Sequence, residues 1–95
     1  MRRFSQRMKK QFEALLDLPK DVVHDLPRIT LVGPYQMYIE NHRGVKSFTQ
    51  SELQLNLSRG VFKVTGDQLV IRAIHTEEVF IEGMIIATSF IIKED

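Results

Sequence analysis

The chain of 95 residues contains no cysteine. Without thiols it has no disulfide framework, no thiolate metal ligand and no cysteine nucleophile, and this composition fits a reducing cytoplasm. No stretch approaches the roughly 20 consecutive apolar residues of a membrane-spanning helix, so we expect no transmembrane segment. The glycine motifs that cradle phosphates and the G-x-S-x-G phrase of serine hydrolases are also missing. These absences predict a protein that is not an enzyme and that needs no cofactor.

The composition is that of an ordinary globular domain. Hydrophobic residues make up 43% of the chain and charged residues 26%, which argues against wholesale disorder. A chain of this length buries somewhat more than ~60% of the surface that it exposes when unfolded, so it can form one modest core. We expect a β-rich domain over residues 20–95, preceded by a separate N-terminal arm, residues 1–19.

The N-terminal arm is basic and amphipathic. Residues 1–20 carry six cations and two anions, whereas the remaining residues carry seven cations and ten anions. The apolar residues of the arm recur at helical spacing, which predicts a helix with one apolar face that ends at Pro19. They are Phe4, Met8, Phe12, Leu15 and Leu16. Since the stretch lacks the apolar run and cleavage site of a signal peptide, we expect it to remain in the mature protein.

From Arg28 onward the hydrophobic pattern has a period of two, as in half-buried strands. The alternation is cleanest over residues 53–58, and turn signals containing glycine separate the apolar runs. We predict an α+β, strongly β-dominated fold: one N-terminal amphipathic helix, then six to eight short strands in a curved, mainly antiparallel sheet, roll or small sandwich. The runs that predict strands are 28–33, 36–41, 53–58, 62–65, 69–74, 79–82 and 84–92.

Two aspects of this fold stay open at the level of sequence. The run 84–92 is too continuous for a strand with one wet face, so either it is central, or Gly83 marks a bulge, or something else covers its second face. A short β-solenoid is an alternative architecture because the phrases 60–66 and 79–86 look loosely alike. The glycine spacings, however, show no fixed period.

A series of phrases, in this order and spacing, is typical of a known family. They are LPKDVV at 18–23, LPRIT at 26–30, YIENHRG at 38–44, GVFKVTGD at 60–67, LVI at 69–71 and VFIEG at 79–83. The chain thereby resembles the YabP/YqfC sporulation protein family over most of its length. The resemblance implies a small protein of endospore-forming bacteria, made in the mother cell and without an established enzymatic activity. It also implies a membrane-anchored sporulation partner of the YqfD type, and it carries over no catalytic residues.

The arm is the best candidate for a functional segment. Its apolar face can dock onto a partner's groove, or it can lie on an anionic membrane surface with its cations toward the headgroups. The structural alternative is that this face only packs on the sheet. An exposed turn at 41–43 is a second candidate, as a polar contact for a partner. The predicted partner or membrane contacts are Phe4, Arg7, Met8, Lys9, Lys10, Phe12, His42 and Arg43.

The alternative function is an enzymatic or small-ligand-binding domain with a site around His24, His42 or His75. A histidine beside a carboxylate acts as a general base only when its partner approaches in space. Glu77 and Glu78 follow His75, but adjacent residues point apart on a strand, and a zinc site needs three or four ligands. We therefore expect structural roles for the histidines and no bound metal.

Nucleic acid and a strand of another protein chain are two further classes of partner. Nucleic-acid binding is disfavoured because the body is net acidic and the two tyrosines form no obvious stacking platform. Open sheet edges offer a route by which copies of the chain pair or a partner adds a strand. The expected location is the cytoplasm of the mother cell, peripheral to the outer forespore membrane.

Overall fold

The structure, a computed structural model, describes residues 25–93, and these form one antiparallel sheet. Its strands are β1 (Arg28–Val32), β2 (Gln36–Glu40), β3 (Val45–Phe48), β4 (Glu52–Leu57), β5 (Gly60–Ile74) and β6 (Glu78–Ile92). Their order across the sheet is β1-β2-β6-β5-β4-β3. The predicted β-dominated, antiparallel architecture is confirmed. The predicted N-terminal helix falls on residues that lie outside the described range.

The two long strands β5 and β6 span 15 residues each and lie at the centre of the sheet, with the four short strands on either side of them. The first part of β6 lies between β5 and β2, and there Met37 is in register with Ile81. The last part of β6 pairs with β5, and β5 in turn pairs with β4. One end of the β5–β6 pair is therefore flanked by β2 and β1, and the other end by β4 and β3.

A β-bulge at Gly83 bends the sheet between these two ends. The register of β5 against β6 slips between Asp67 and Val70, so that residues 68–69 of β5 oppose Gly83 alone. Gly83 has a φ of 143° and Gln68 a φ of 56°, and such an unpaired extra residue increases the local twist and bend. The bulge that the sequence offered as one reading of Gly83 is confirmed.

The strands differ from the prediction in length and in number of breaks. The phrases at 65–67 and 82–83 predict turns between several short strands, and this prediction is wrong. Both phrases lie inside long strands, where they accompany register shifts. The β-solenoid alternative was also wrong, because the described strands pair antiparallel with their neighbours. β3 was missed.

Inward-facing side chains from both ends of the bent sheet form one hydrophobic core. Met37 of β2 and Leu55 of β4 belong to the same cluster although their strands are not neighbours in the sheet. The bend therefore brings the two ends of the sheet face to face. Each fully buried side chain contributes about 1.5–3 kcal/mol. The core consists of Met37, Ile39, Leu53, Leu55, Phe62, Val64, Leu69, Val79, Ile81 and Ile85.

Candidate interaction surface

The loop after β2 bridges the two ends of the bent sheet. The backbone N–H of His42 donates to the carbonyl oxygen of Glu77 at 3.1 Å, just before β6 begins. The next residue, Arg43, donates its N–H to the carbonyl oxygen of Asn56 in β4 at 2.7 Å. These two hydrogen bonds reach opposite ends of the sheet, so the loop closes one end of the core.

The side chain of His42 lies inside this closure. It is 1% exposed, and its Nδ1 accepts a hydrogen bond from the backbone N–H of Gly44 at 2.9 Å. This hydrogen bond assigns the proton of the neutral ring to Nε2. The predicted exposure of the turn is therefore wrong for His42, whose burial depends on the bridging loop.

Arg43 lies at the surface, as predicted for this turn. Its guanidinium donates to Oδ1 of Asn41 at 2.8 Å and lies 3.5 Å from Oδ1 of Asp25. Asp25 also accepts a hydrogen bond from the hydroxyl of Ser58 at 2.8 Å. The start of the described chain is thus held against the β4–β5 turn, and contact between Arg43 and a partner stays a prediction.

The histidines do not form a shared site in the described part of the chain. His75 is exposed in the turn between β5 and β6, where its backbone N–H donates to the carbonyl oxygen of Glu78 at 2.7 Å. The ring of His42 is buried, and His24 lies outside the described residues. Across residues 25–93 no group of three or more histidine, aspartate or glutamate side chains is placed to hold a metal ion.

A charged network fixes β6 to its neighbours next to the bulge. Arg72 of β5 donates its Nε to Oε1 of Glu82 at 2.5 Å, and Gln36 of β2 donates its amide to Oε2 at 2.8 Å. The hydrogen bond from Arg72 is the main cause that lowers the pKa of Glu82 below its ordinary value, and the hydrogen bond from Gln36 adds to it. The carboxylate therefore ties three strands together while it is ionised.

The second face of β2 is buried as well as its core face. Alternation placed Tyr38 and Glu40 opposite Met37 and Ile39, and yet Glu40 is buried, with one carboxylate oxygen that has no hydrogen-bond partner among the described residues. Buried ionised groups are costly unless they are paired. The alternation of the sequence predicted a solvent-facing side chain at Glu40 and so did not identify this buried carboxylate.

Exposed apolar side chains lie on the β1–β2 hairpin and on the adjoining part of β6, and we call this surface the hairpin-tip patch. It consists of Leu31, Val32, Tyr35 and Met84. These side chains are between 43% and 60% exposed. Leu31 and Val32 are consecutive in β1 and therefore face opposite sides of the sheet, so both faces of the hairpin tip expose apolar side chains.

Two backbone hydrogen bonds hold the hairpin tip in place against β6. The carbonyl oxygen of Tyr35 accepts from the N–H of Gly83 at 3.1 Å, and that of Pro34 accepts from the N–H of Ile85 at 2.7 Å. Sequence reasoning missed this surface, although a signal was present. Residues 29–39 include no charged residue, which is unusual for a hairpin whose tip faces solvent.

The last part of β6, residues 86–92, forms a second exposed apolar surface, which we call the β6 edge. β2 is in register with β6 only from Glu78 to Glu82. Beyond the contact of Ile85 with the hairpin tip, no described strand pairs with this side of β6. The edge contains no charged residue, and its large apolar side chains are between 50% and 70% exposed. They are Ile86, Phe90, Ile91 and Ile92.

The contacts predicted in the N-terminal arm lie outside the described residues. They are Phe4, Arg7, Met8, Lys9, Lys10 and Phe12. Within residues 25–93 there is no helix with the length and hydropathy that crossing a bilayer requires.

Comparison with known proteins agrees with the resemblance seen in the sequence. The profile of the YabP family matches residues 24–95, a range that includes all the described strands and both apolar surfaces. The protein YqfC of Bacillus subtilis (strain 168) is 47% identical over 79 residues, which is 83% of this chain and 85% of that protein. A profile match over most of the chain and a relative this similar lead to one conclusion: the chain belongs to the YabP family.

Proposed function

We propose that this protein is a non-enzymatic interaction module of sporulation that works in the mother cell with a membrane-anchored partner of the YqfD type. Membership of the family supports the sporulation role. The observation that carries the interaction role is the hairpin-tip patch, an apolar surface held on a rigid turn. The protein contributes a docking surface, and its partner contributes the membrane anchor.

The geometry of the hairpin tip suits a docking surface. Leu31, Val32 and Tyr35 are each about half exposed, so covering them contributes on the order of 1 kcal/mol per side chain. The turn is already fixed to β6 by two backbone hydrogen bonds, so little conformational entropy is lost when a partner binds. Tyr35 adds an aromatic ring with a polar tip, a side chain enriched where binding energy is concentrated.

The basic arm is proposed as a second, membrane-facing contact. A cation near an anionic leaflet contributes roughly 1 kcal/mol, so several cations together localise a protein weakly whereas a single one does not. Replacing Arg2, Arg3, Arg7, Lys9 and Lys10 with glutamine is therefore expected to release the protein from membranes with little change in thermal stability. Retention of full membrane association by that variant would remove the arm from the proposal.

Copurification from sporulating cells, with the membrane fraction kept, tests the hairpin tip. The double variant Val32→Glu/Tyr35→Glu places two charges on the patch at exposed positions, so the fold should survive. We expect it to lose the membrane-anchored partner. The matched control is Ile74→Glu, which changes a side chain that is 51% exposed next to the β5–β6 turn, three strands away from β1, and should retain the partner. Equal recovery of the partner with the patch variant and the wild type would refute the proposal.

The alternative, a small-ligand or enzymatic site around the histidines, has one observation in its favour. Nε2 of His42 is buried and has no hydrogen-bond partner among the described residues. Because His42 also supports the fold, its replacement would confuse loss of function with loss of stability. The discriminating variant is His24→Ala/His75→Ala with His42 intact. A folded double variant that binds its partner but fails to support sporulation would favour a histidine site over the interaction module.

A further inference from the structure

We infer that two copies of this chain associate through their β6 edges to form one continuous antiparallel sheet. This inference goes beyond the proposed function and does not depend on it, because it uses a different surface. It rests on the backbone geometry of residues 86–92, on their lack of charge and on a comparison with the other open edges of the sheet.

The backbone of the β6 edge is oriented for strand pairing. The N–H of Lys93 donates to the carbonyl oxygen of Arg59 at 3.0 Å and thus continues the ladder between β6 and β5. Hydrogen-bonded positions alternate along an antiparallel pair, so Ile91 and Ser89 also direct their backbone groups toward β5. The intervening residues direct their N–H and C=O groups toward the open side. They are Thr88, Phe90 and Ile92.

A strand added next to the β6 edge would bury side chains that are now exposed. The ring of Phe90 lies 4.9 Å from that of Phe62, measured between centroids, yet Phe90 remains half exposed. Ile86 and Ile92 are more exposed still. Within residues 25–93 no strand pairs with these backbone groups, and such a row flanked by β-branched and aromatic side chains is a template for another strand.

The edge is complementary to itself. In an antiparallel pairing about a two-fold axis at Ser89, Ala87 of one copy meets Ile91 of the other, and Thr88 meets Phe90. The regular stretch ends at Ile86, where the register against β5 shifts. Residues 86–92 carry no charge, so no like charges are brought together. A two-fold interface requires this kind of self-complementary patch.

The other open edges of the described sheet do not share this property. β3 carries Lys46 at its second position, β1 begins with Arg28, and the part of β5 beyond its pairing with β4 carries Arg72. Charged side chains on short edge strands are the usual protection against pairing with another chain. The β6 edge is longer than β1 or β3 and, unlike the three other edges, carries no charge, which favours a second copy as its occupant.

The size of the contact sets the expected affinity. A pairing centred on residues 87–91 lies at the small end of protein interfaces, where complexes are weak and transient. We therefore expect a dissociation constant in the micromolar range, so that dimers form when the protein is locally concentrated.

Sedimentation of the full chain from about 1 to about 500 μM, a range that spans micromolar dissociation constants, tests the inference. The wild type should shift from monomer to dimer. Ser89→Lys places two lysines against each other at the two-fold axis and should weaken the dimer by about tenfold or more, and Ser89→Glu should do the same. An equimolar mixture of the two variants should restore association, because lysine then faces glutamate.

The control is Ser47→Lys, which adds the same charge at an exposed serine of β3 and should leave the dimer intact. Thermal melting verifies that every variant is folded. A wild type that stays monomeric throughout, or a dimer that Ser89→Lys does not weaken, would overturn the inference. So would amides of residues 86–92 that become protected from hydrogen exchange only when the membrane-anchored partner is added, since the partner's strand would then be the occupant.

Discussion

Replacing Gly83 with alanine probes the bulge that bends the sheet. The φ of Gly83 is 143°, a conformation that residues with a side chain rarely adopt. A Cβ at this position would lie 2.7 Å from the carbonyl oxygen of Gln68 and 2.9 Å from the Cα of Leu69. Both are backbone atoms of the opposing strand, so neither can move aside as the end of a flexible side chain can.

Two costs add up in the Gly83→Ala protein. A strained backbone conformation costs about 1–3 kcal/mol, and forcing an extra carbon into filled space costs about another 1–3 kcal/mol. Their sum is a large part of the ~5–15 kcal/mol by which domains are stable. We therefore expect the free energy of unfolding to fall by several kcal/mol.

Urea denaturation followed by circular dichroism measures this loss, and Gly44→Ala is the matched control. Gly44 also has a positive φ, 111°, but a Cβ there would meet nothing within 4 Å. The control therefore contains the backbone strain without the steric contact. If Gly83→Ala proves no less stable than Gly44→Ala, the bulge yields to a methyl group and the reasoning about the bend is refuted.

Three further predictions concern the core, the closing loop and the charged network. Phe62→Ala should lower the free energy of unfolding by about 3–5 kcal/mol in the same urea assay, because it leaves a cavity in the middle of the core; a loss below about 1 kcal/mol would contradict this packing. His42→Ala should cost about 2–4 kcal/mol, since it removes a buried ring and leaves the N–H of Gly44 without its acceptor, whereas His75→Ala should change stability by less than about 0.5 kcal/mol. Because the folded state lowers the pKa of Glu82 below 4.5, its ionised form stabilises the fold above that pH, and this contribution disappears as the pH falls through the lowered pKa. Glu82→Gln should therefore flatten the acid side of a stability-versus-pH curve, and an unchanged acid limb would show that the network contributes nothing.

Alternation and turn chemistry were sufficient to predict several elements. Leu53, Leu55 and Leu57 alternate with polar residues because β4 buries one face, and the structure forms a strand there. The runs at 28–33 and 36–41 are likewise strands. In each case the signal lies within the residues that form the element, so one sequence suffices to detect it.

The misses share a physical cause, which is dependence on distant parts of the chain. Gly66 and Gly83 look alike whether they end a strand or bend it, and the choice depends on the partner strand. β3 is exposed at all its positions, so burial imposes no alternation on it. The burial of His42 follows from hydrogen bonds of its loop to β4 and to the start of β6, and no local pattern reports those contacts.

Flotation of the purified full chain with lipid vesicles tests the central claim, that the protein docks through its hairpin tip onto a membrane-anchored partner. Vesicles with the YqfD-type partner and partner-free vesicles of the same lipid composition are compared for the wild type, Val32→Glu/Tyr35→Glu and Ile74→Glu. We predict that the wild type and Ile74→Glu float with partner-bearing vesicles well above the partner-free level, and that the patch variant falls to that level. Equal flotation of the patch variant and the wild type on partner-bearing vesicles would contradict the account.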